Sequence, residues 1–196
     1  MMKNTLALIL MAACGCAANA APVTYKIDPT HTFPSFEADH MGISVWRGKF
    51  NASSGSVILD KAAGSGSIDV SIDTASVDFG QDALNTWAAG KEFFDAAKHG
   101  PARFKGKLTG FANGAPTAAE GTLTLRGVTR PVTLKLALFK CIPHPMLKRE
   151  LCGADAMGTI RRDEFGLDAG KDYGFKMDVA LRIQVEAVAE ETPAKP

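Results

Sequence analysis

The chain of 196 residues carries 22 basic and 21 acidic residues, and 46% of its residues are hydrophobic. This balanced charge is untypical of proteins that bind nucleic acids, because those need an excess of basic residues on one face. The length and the apolar content suit a single domain with a substantial core, and no linker or internal repeat divides the chain.

The first twenty residues are typical of a secretory signal peptide. Lys3 supplies the basic start, residues 6–13 form an apolar run, and Ala18-Asn19-Ala20 ends the segment with the small residues of a cleavage site. The apolar run has about half the length that a membrane-spanning helix needs. We therefore expect export to the periplasm, one domain over residues 21–189 and a flexible polar tail over residues 190–196.

Two of the four cysteines, Cys14 and Cys16, lie in the predicted signal peptide. Lipidation of one of them is an alternative, although the residues that precede them are a poor lead-in for a lipidated cysteine. Cys141 and Cys152 remain in the mature chain. In an exported protein such a pair predicts a disulfide, which would pin residues 142–151 as a loop.

Alternating apolar and polar residues predict most of the chain as β-strands. Residues 82–97 instead show helical spacing, so we predict one short helix that Asp82 caps and that Gly90 could interrupt. In chain order, the predicted extended segments are residues 23–27, 32–40, 45–50, 55–60, 67–73, 102–111, 121–139, 156–162 and 175–188.

The segment over residues 121–139 has the pattern of a β-hairpin, with two alternating runs around the turn-rich residues 127–131. A two-stranded hairpin cannot bury an apolar face by itself, so other strands or a ligand must cover its leucines. The leucines on these faces include Leu123, Leu125, Leu134 and Leu136.

About eight alternating strands with one short helix predict an all-β antiparallel fold, either a barrel or a sandwich. A parallel α/β fold would need more helices. We favour a closed barrel, because strands of this length would otherwise expose long unpaired edges.

The sequence contains no recognisable catalytic motif, such as a nucleophile elbow, a zinc-binding histidine pair or a nucleotide-binding glycine loop. Its four histidines are scattered, and most of them suit a turn, a cap or the core. A metal site of Cys141, His144 and Cys152 is an alternative to the disulfide, but it would lack a fourth ligand. His31 and His40 bracket the first long predicted strand, so they could meet across a cavity mouth.

Four stretches, spread over almost the whole chain, are distinctive in their order and spacing. They are residues 27–50 with Asp28-Pro29 and His31, residues 92–106 with Phe93-Phe94-Asp95, residues 121–134 with Gly127-Val128-Thr129, and residues 160–167 with Arg162 and Phe165-Gly166. Together they resemble the YceI-like family of secreted polyisoprenoid-binding proteins. The chain departs from that pattern at Thr32, where serine is common, and by the insertion between Cys141 and Cys152.

The resemblance implies an extended lipocalin-like β-barrel whose interior is a long apolar tunnel for an isoprenoid chain. The alternative is that the same side chains pack a solid core. We expect the polar end of the ligand near the mouth, beside His31, His40 and Arg162. The predicted tunnel residues are Phe36, Leu123, Leu125, Leu134, Leu136, Val179, Leu181 and Ile183.

The expected function is therefore that of a periplasmic binding or carrier protein for an isoprenoid lipid, either a polyprenyl phosphate or a quinone-type chain. We expect no catalytic residue, metal, cofactor or nucleic-acid partner, and we leave a transient membrane contact and a homodimer open. One alternative is a lipid-modifying enzyme with His31 or His40 as base and Asp28 as its orienting partner. Another is a structural module of the cell envelope whose barrel is filled by side chains.

Overall fold

The computed structural model describes residues 21–191. The predicted signal peptide and residues 192–196 of the predicted tail lie outside this range, so both remain predictions. No helix within residues 21–191 is long and apolar enough to cross a membrane.

Residues 21–191 form eleven strands, two α-helices and three short 3-10 helices. The helices are α1 (Asp82–Ala89) and α2 (Ala96–His99), and the 3-10 helices are Thr74–Ser76, Arg162–Phe165 and Lys171–Tyr173. The strands are β1 (Val23–Ile27), β2 (Phe33–His40), β3 (Ser44–Phe50), β4 (Ser53–Asp60), β5 (Ser65–Ile72), β6 (Val77–Asp78), β7 (Ala102–Thr109), β8 (Ala118–Leu125), β9 (Val128–Pro143), β10 (Glu150–Arg161) and β11 (Asp178–Ala189).

Antiparallel pairing closes eight of these strands into a barrel. They follow the order β1, β4, β5, β7, β8, β9, β10 and β11, and β11 pairs back onto β1. The predicted antiparallel barrel is therefore confirmed. β2, β3 and β6 extend the wall at one end, because β2 pairs with the first half of β11 while β1 pairs with its last residues.

We call the end with β2, β3 and the helices the upper end, and the end with the β9–β10 loop the lower end. The two ends have separate clusters of buried side chains. The lower cluster contains Tyr25, Leu59 and Leu108, whereas the upper cluster contains Phe94 and Phe165. The interior therefore packs in two layers along the barrel axis.

The turn between β8 and β9 is shorter than predicted. It consists of Arg126 and Gly127, both with positive φ (50° and 74°), and Leu125 pairs directly with Val128. A two-residue turn of this kind matches the twist of the flanking strands. Pro131, predicted in the turn, lies in β9 opposite Thr122, and it lies beyond the part of β9 that pairs with β10.

The predicted helix over residues 82–97 is divided into α1 and α2, so the expectation of one helix is corrected to two. Gly90 ends α1, and its N–H donates to the carbonyls of Thr86 and Trp87. Gln81, rather than the predicted Asp82, caps the helix, because the Gln81 side chain accepts the N–H of Leu84. Asp82 is the first helical residue.

The predicted disulfide between Cys141 and Cys152 is present, and it joins directly paired residues of β9 and β10 with a Cα–Cα distance of 4.0 Å. The predicted loop over residues 142–151 is shorter, because strand structure continues to Pro143 and resumes at Glu150. The alternative metal site does not form. Both sulfurs are consumed by the disulfide, and His144 Nδ1 accepts two backbone N–H groups of its own loop.

Candidate functional site

The barrel interior contains two apolar chambers of about 200 and 110 Å³, which we call the upper and the lower chamber. Their lining surfaces are almost free of polar atoms. The interior is therefore not filled by side chains, contrary to the alternative of a solid core. Five side chains line both chambers and so lie between them, and we call them the waist: Pro34, Ile72, Phe104, Leu134 and Ile183.

Strand register explains how the upper chamber is built. One row of paired residues crosses four strands. Trp46 of β3 pairs with Ala38 of β2. Ala38 also pairs with Val179 of β11, and Val179 pairs with Ile160 of β10. All four side chains line the upper chamber. Because alternate residues of a strand face the same side, one row of register positions becomes one ring of the chamber wall.

Aromatic rings form much of the upper chamber. Phe36 lies 5.6 Å from Phe50 and 5.4 Å from Phe79 between ring centroids. The segment after β6 adds Trp87 and Phe93, whose rings stack at 5.1 Å. Edge-to-face and offset contacts of this kind stabilise aromatic clusters beyond their area burial.

The upper chamber opens to solvent, and two tryptophans mark its mouth. Trp46 is 39% exposed and Trp87 is 38% exposed, although both line the chamber. By contrast, no lining residue of the lower chamber is exposed. The upper chamber therefore has the more solvent-exposed wall.

Arg162 places one positive charge in the wall of the upper chamber. It is 7% exposed, and its guanidinium donates to the carbonyls of Leu167 (2.6 Å) and Ala169 (2.8 Å). No carboxylate of residues 21–191 lies within 4.0 Å of it, and burial lowers its pKa. The two hydrogen bonds use two of its five N–H donors and leave three.

The Arg162 cation also lies over an aromatic ring. Its Cζ atom is 6.0 Å from the centroid of Phe93, which lines the same chamber. This contact and the two carbonyls hold a buried charge that lacks a carboxylate partner.

His40 lies at the upper end but behind the chamber wall. Its ring stacks on Trp46 at 4.2 Å and meets Phe175 edge-to-face at 5.0 Å, and both of these partners line the chamber. His40 therefore orients mouth residues, while its own ring does not line the chamber.

His31 is separate from the other two predicted head-group residues, so the expectation that the three lie together at the mouth is corrected. Its side chain is 60% exposed, and it lies in the turn before β2 beside the far half of β11. His40 is the last residue of β2, and His31 lies two residues before its start. The eight residues of β2 span about 26 Å at about 3.3 Å per residue. An extended strand cannot bring its two ends to one mouth.

His31 instead forms a pair with Asp28 on the outside of the barrel. The Nδ1 atom of His31 lies 2.8 Å from Asp28 Oδ2, and this hydrogen bond raises the pKa of His31. Partial burial opposes ionisation of Asp28, but hydrogen bonds from Thr30 and His31 outweigh it and lower its pKa to about 2. The pair matches the predicted base and orienting partner, yet it lines neither chamber.

The eight predicted tunnel residues all lie in chamber walls, although their contact with a ligand stays a prediction. Two of them, Leu134 and Ile183, belong to the waist, and Leu136 lines the lower chamber. The remaining five line the upper chamber: Phe36, Leu123, Leu125, Val179 and Leu181.

Sequence reasoning missed the aromatic residues that complete the upper chamber. Helical spacing over residues 82–97 explains Trp87 and Phe94 without a site, and no sequence motif predicts a site at Trp46 or Phe175, yet all four line the chamber. The available signal was composition, because the chain has only two tryptophans and both lie at the mouth.

Comparison with known proteins identifies the family, since the profile of the YceI-like domain matches residues 25–188. The chain belongs to the YceI-like domain family. It is 32% identical over 201 residues to a UPF0312 protein of Pseudomonas aeruginosa, covering 97% of this chain and all of that protein. It is 34% identical over 190 residues to a UPF0312 protein of Serratia proteamaculans, covering 95% of this chain and 97% of that protein.

Solved structures share the fold of this YceI-like domain. BcnA of Burkholderia cenocepacia has a TM-score of 0.65 at 25% identity, covering 82% of this chain and 99% of that one. The YCEI protein of Campylobacter jejuni has a TM-score of 0.64 at 25% identity, covering 78% and 90%. A polyisoprenoid binding domain from Saccharophagus degradans has a TM-score of 0.62 at 19% identity, covering 86% and 99%.

The four stretches that carry the YceI-like pattern meet at the upper end. The upper cluster of side chains contains Phe36 from the first stretch, Phe94 from the second, Leu125 from the third, and Phe165 from the fourth. In addition, Arg126 Nη1 donates to the carbonyl of Gly166 and so joins the third stretch to the fourth. The YceI-like motifs therefore build the walls around the upper chamber.

Proposed function

We propose that this YceI-like domain binds an isoprenoid lipid inside the barrel and carries it through the periplasm. The observation that carries the proposal is the pair of apolar chambers, which share five lining residues, with Trp46 and Trp87 exposed in the wall of the upper one. A long, narrow and branched hydrocarbon suits two successive chambers joined at a waist. The predicted signal peptide supports the periplasmic location.

Burial of the hydrocarbon chain provides ample binding energy in water, because each buried methylene contributes about 0.8 kcal/mol. A lipid that starts in a bilayer is already out of water, so burial alone gives the barrel little advantage over the membrane. Selectivity must therefore come from the shape of the chambers and from contacts with the polar end of the lipid.

The head-group contact is assigned to Arg162, the basic residue in the wall of the upper chamber. Its free N–H donors suit either the carbonyl oxygen of a quinone or the phosphate oxygen of a polyprenyl phosphate. The rings around it, among them Phe93, offer flat apolar surface to a planar head group. We assign no head-group role to His31, because it lies outside the barrel.

The comparisons support this proposal in one respect. The neighbour from Saccharophagus degradans is a polyisoprenoid binding domain, and its likeness to this chain shows a shared fold. The same barrel is thus compatible with a polyisoprenoid guest.

The proposal is tested by purifying the exported protein without detergent and analysing an organic extract by mass spectrometry. We expect a prenyl lipid at a fixed ratio to protein. The variant Ala156→Leu adds a larger side chain to the wall of the lower chamber and should retain less lipid. Ala137→Leu, at an exposed position of β9, is the matched control and should retain as much as the wild type. Repeated recovery of no prenyl lipid would overturn the proposal.

A lipid-modifying enzyme is a second candidate, because the Asp28–His31 pair has the geometry of a base and its orienting partner. We favour binding, since this pair lies outside the chambers and no activated nucleophile accompanies it. Turnover of an isoprenoid substrate that His31→Ala abolishes would favour the enzyme instead.

A further inference from the structure

The loop between β9 and β10 exposes apolar side chains at the lower end of the barrel. It comprises residues 144–149, and we call it the stapled loop because the Cys141–Cys152 disulfide lies just behind it. Met146 is 82% exposed and Leu147 is 47% exposed. Ile142, on the last part of β9, is 41% exposed and extends the apolar surface. An exposed apolar cluster of this kind marks a contact site on a protein surface.

The stapled loop has a folded conformation that holds these side chains outward. His144 Nδ1 accepts the backbone N–H groups of Met146 (3.1 Å) and Leu147 (3.2 Å), and the His144 N–H donates to the carbonyl of Arg149 at 2.6 Å. The disulfide fixes the two strands that carry the loop. Because the backbone is preorganised, little conformational entropy is lost when a partner covers the tip.

The charges on this segment are all positive. Lys140, Lys148 and Arg149 are basic, no acidic residue occurs between positions 140 and 149, and none of the three forms an ion pair with another residue of the described chain. The next acidic residue, Glu150, accepts hydrogen bonds from Lys61 Nζ at 2.7 Å and from the hydroxyl of Tyr25. The tip is therefore apolar, and its basic rim forms no ion pair with the described residues.

We propose that the stapled loop docks on the surface of an anionic lipid bilayer. Met146 and Leu147 enter the boundary between head groups and acyl chains, while Lys148 and Arg149 bind the negative head groups. The combination of a small apolar tip with basic flanks is the pattern that such surfaces recognise. A second copy of this chain is less well matched, because the basic rim would then need acidic partners.

This docking site is distinct from the mouth of the lipid-binding chamber. The strand β10 begins at the stapled loop and ends beside Arg162, and its twelve residues span about 40 Å at about 3.3 Å each. A barrel held through the loop keeps Trp46 and Trp87 directed away from the bilayer. The inference therefore does not depend on what the chambers hold.

The test is co-sedimentation of the mature, disulfide-bonded chain with vesicles of phosphatidylcholine alone or mixed with phosphatidylglycerol. We expect binding that requires phosphatidylglycerol and weakens with salt. Lys148→Gln with Arg149→Gln should weaken it about 30-fold, since each basic residue near an anionic surface accounts for about a fivefold change. Met146→Ser with Leu147→Ser should weaken it about tenfold or more.

Matched control variants test whether vesicle binding is specific to the stapled loop. Ile43→Ser removes an apolar side chain that is 77% exposed at the upper end, and Lys105→Gln with Lys107→Gln removes two charges from the outer face of β7. Both should bind vesicles like the wild type, and all variants should melt at the wild-type temperature.

Three outcomes would overturn the proposal. The first is equal binding to both kinds of vesicle, and the second is a loss with Ile43→Ser that matches the loss with the loop variants. The third is light scattering that shows a dimer only when the loop is intact, which would assign the loop to a second copy. Lipid extraction from the same samples tests the proposed function separately.

Discussion

Gly48 of β3 lies directly opposite Phe36 of β2, and a Cβ atom at position 48 would lie 2.5 Å from the Cζ atom of Phe36. The absence of a side chain on β3 lets the phenyl ring lie against the sheet. There it reaches Phe50 and Phe79 in the wall of the upper chamber. The position of one chamber-lining ring thus depends on a glycine of the neighbouring strand.

The first prediction concerns this contact. Gly48→Ala should push the Phe36 ring into the upper chamber, lower the free energy of unfolding by about 1 to 3 kcal/mol and reduce lipid retention. Gly153→Ala is the control, because its added Cβ would meet only atoms at 3.6 and 3.8 Å, and it should change stability by less than about 0.5 kcal/mol. Denaturant unfolding measures both. Equal effects at the two positions would refute the role of Gly48.

The second prediction concerns the charge in the chamber. Arg162→Ala should weaken the binding of a prenyl phosphate by about 1.5 to 3 kcal/mol, and that of the corresponding prenyl alcohol by less, because only the phosphate forms a charge-assisted hydrogen bond. Arg161→Ala, whose guanidinium pairs with Asp163 at 2.9 Å on the exterior, is the matched control and should affect neither ligand. Equal losses for both ligands in Arg162→Ala would reject charge recognition.

The third prediction concerns the disulfide. Replacing Cys141 and Cys152 together by serine should lower the free energy of unfolding by about 2 to 3 kcal/mol in the chain-entropy model, because the unfolded chain regains freedom. A reducing agent should destabilise the wild type by the same amount and leave the double variant unchanged. If reduction had no effect on the wild type, the two cysteines would not be bonded in the purified protein.

The fourth prediction concerns the Asp28–His31 pair and pH. Asp28 raises the pKa of His31 above its ordinary 6.5, so the proton of His31 should be lost at a higher pH than in an unpaired histidine. An NMR titration of the His31 ring measures this directly. In Asp28→Asn the midpoint should return toward 6.5, and an unchanged midpoint would show that another group causes the shift.

The same pair predicts how stability depends on pH. Protonated His31 contributes fully to the free energy of unfolding below pH 6.5, and this contribution is lost as the pH rises through its raised pKa. Ionised Asp28 contributes fully to the free energy of unfolding above pH 3.8, and this contribution is lost as the pH falls toward 2. The stability difference between wild type and His31→Ala should therefore be greatest between about pH 4 and 6.5. A pH-independent difference would mean that His31 acts through packing.

Much of this barrel was predictable from local pattern. Alternation along β11 places Val179, Leu181 and Ile183 on one face, and the structure lines the chambers with all three. The disulfide was predictable from the two cysteines that remain after the predicted signal peptide. The division of residues 82–97 at Gly90 was only partly predictable, because the capping bonds that end α1 depend on backbone geometry.

What the sequence determined by itself is the strand pattern, the all-β antiparallel class and the identity of the inward faces, because side-chain alternation in a strand is a local property. Only the tertiary structure decided which inward-facing residues surround a cavity and which charged residues line that cavity. It separated His31 from Arg162 along β11 and brought Trp46 and Trp87, from distant segments, to one mouth. Those relations depend on strand register and closure, which join residues far apart in the chain.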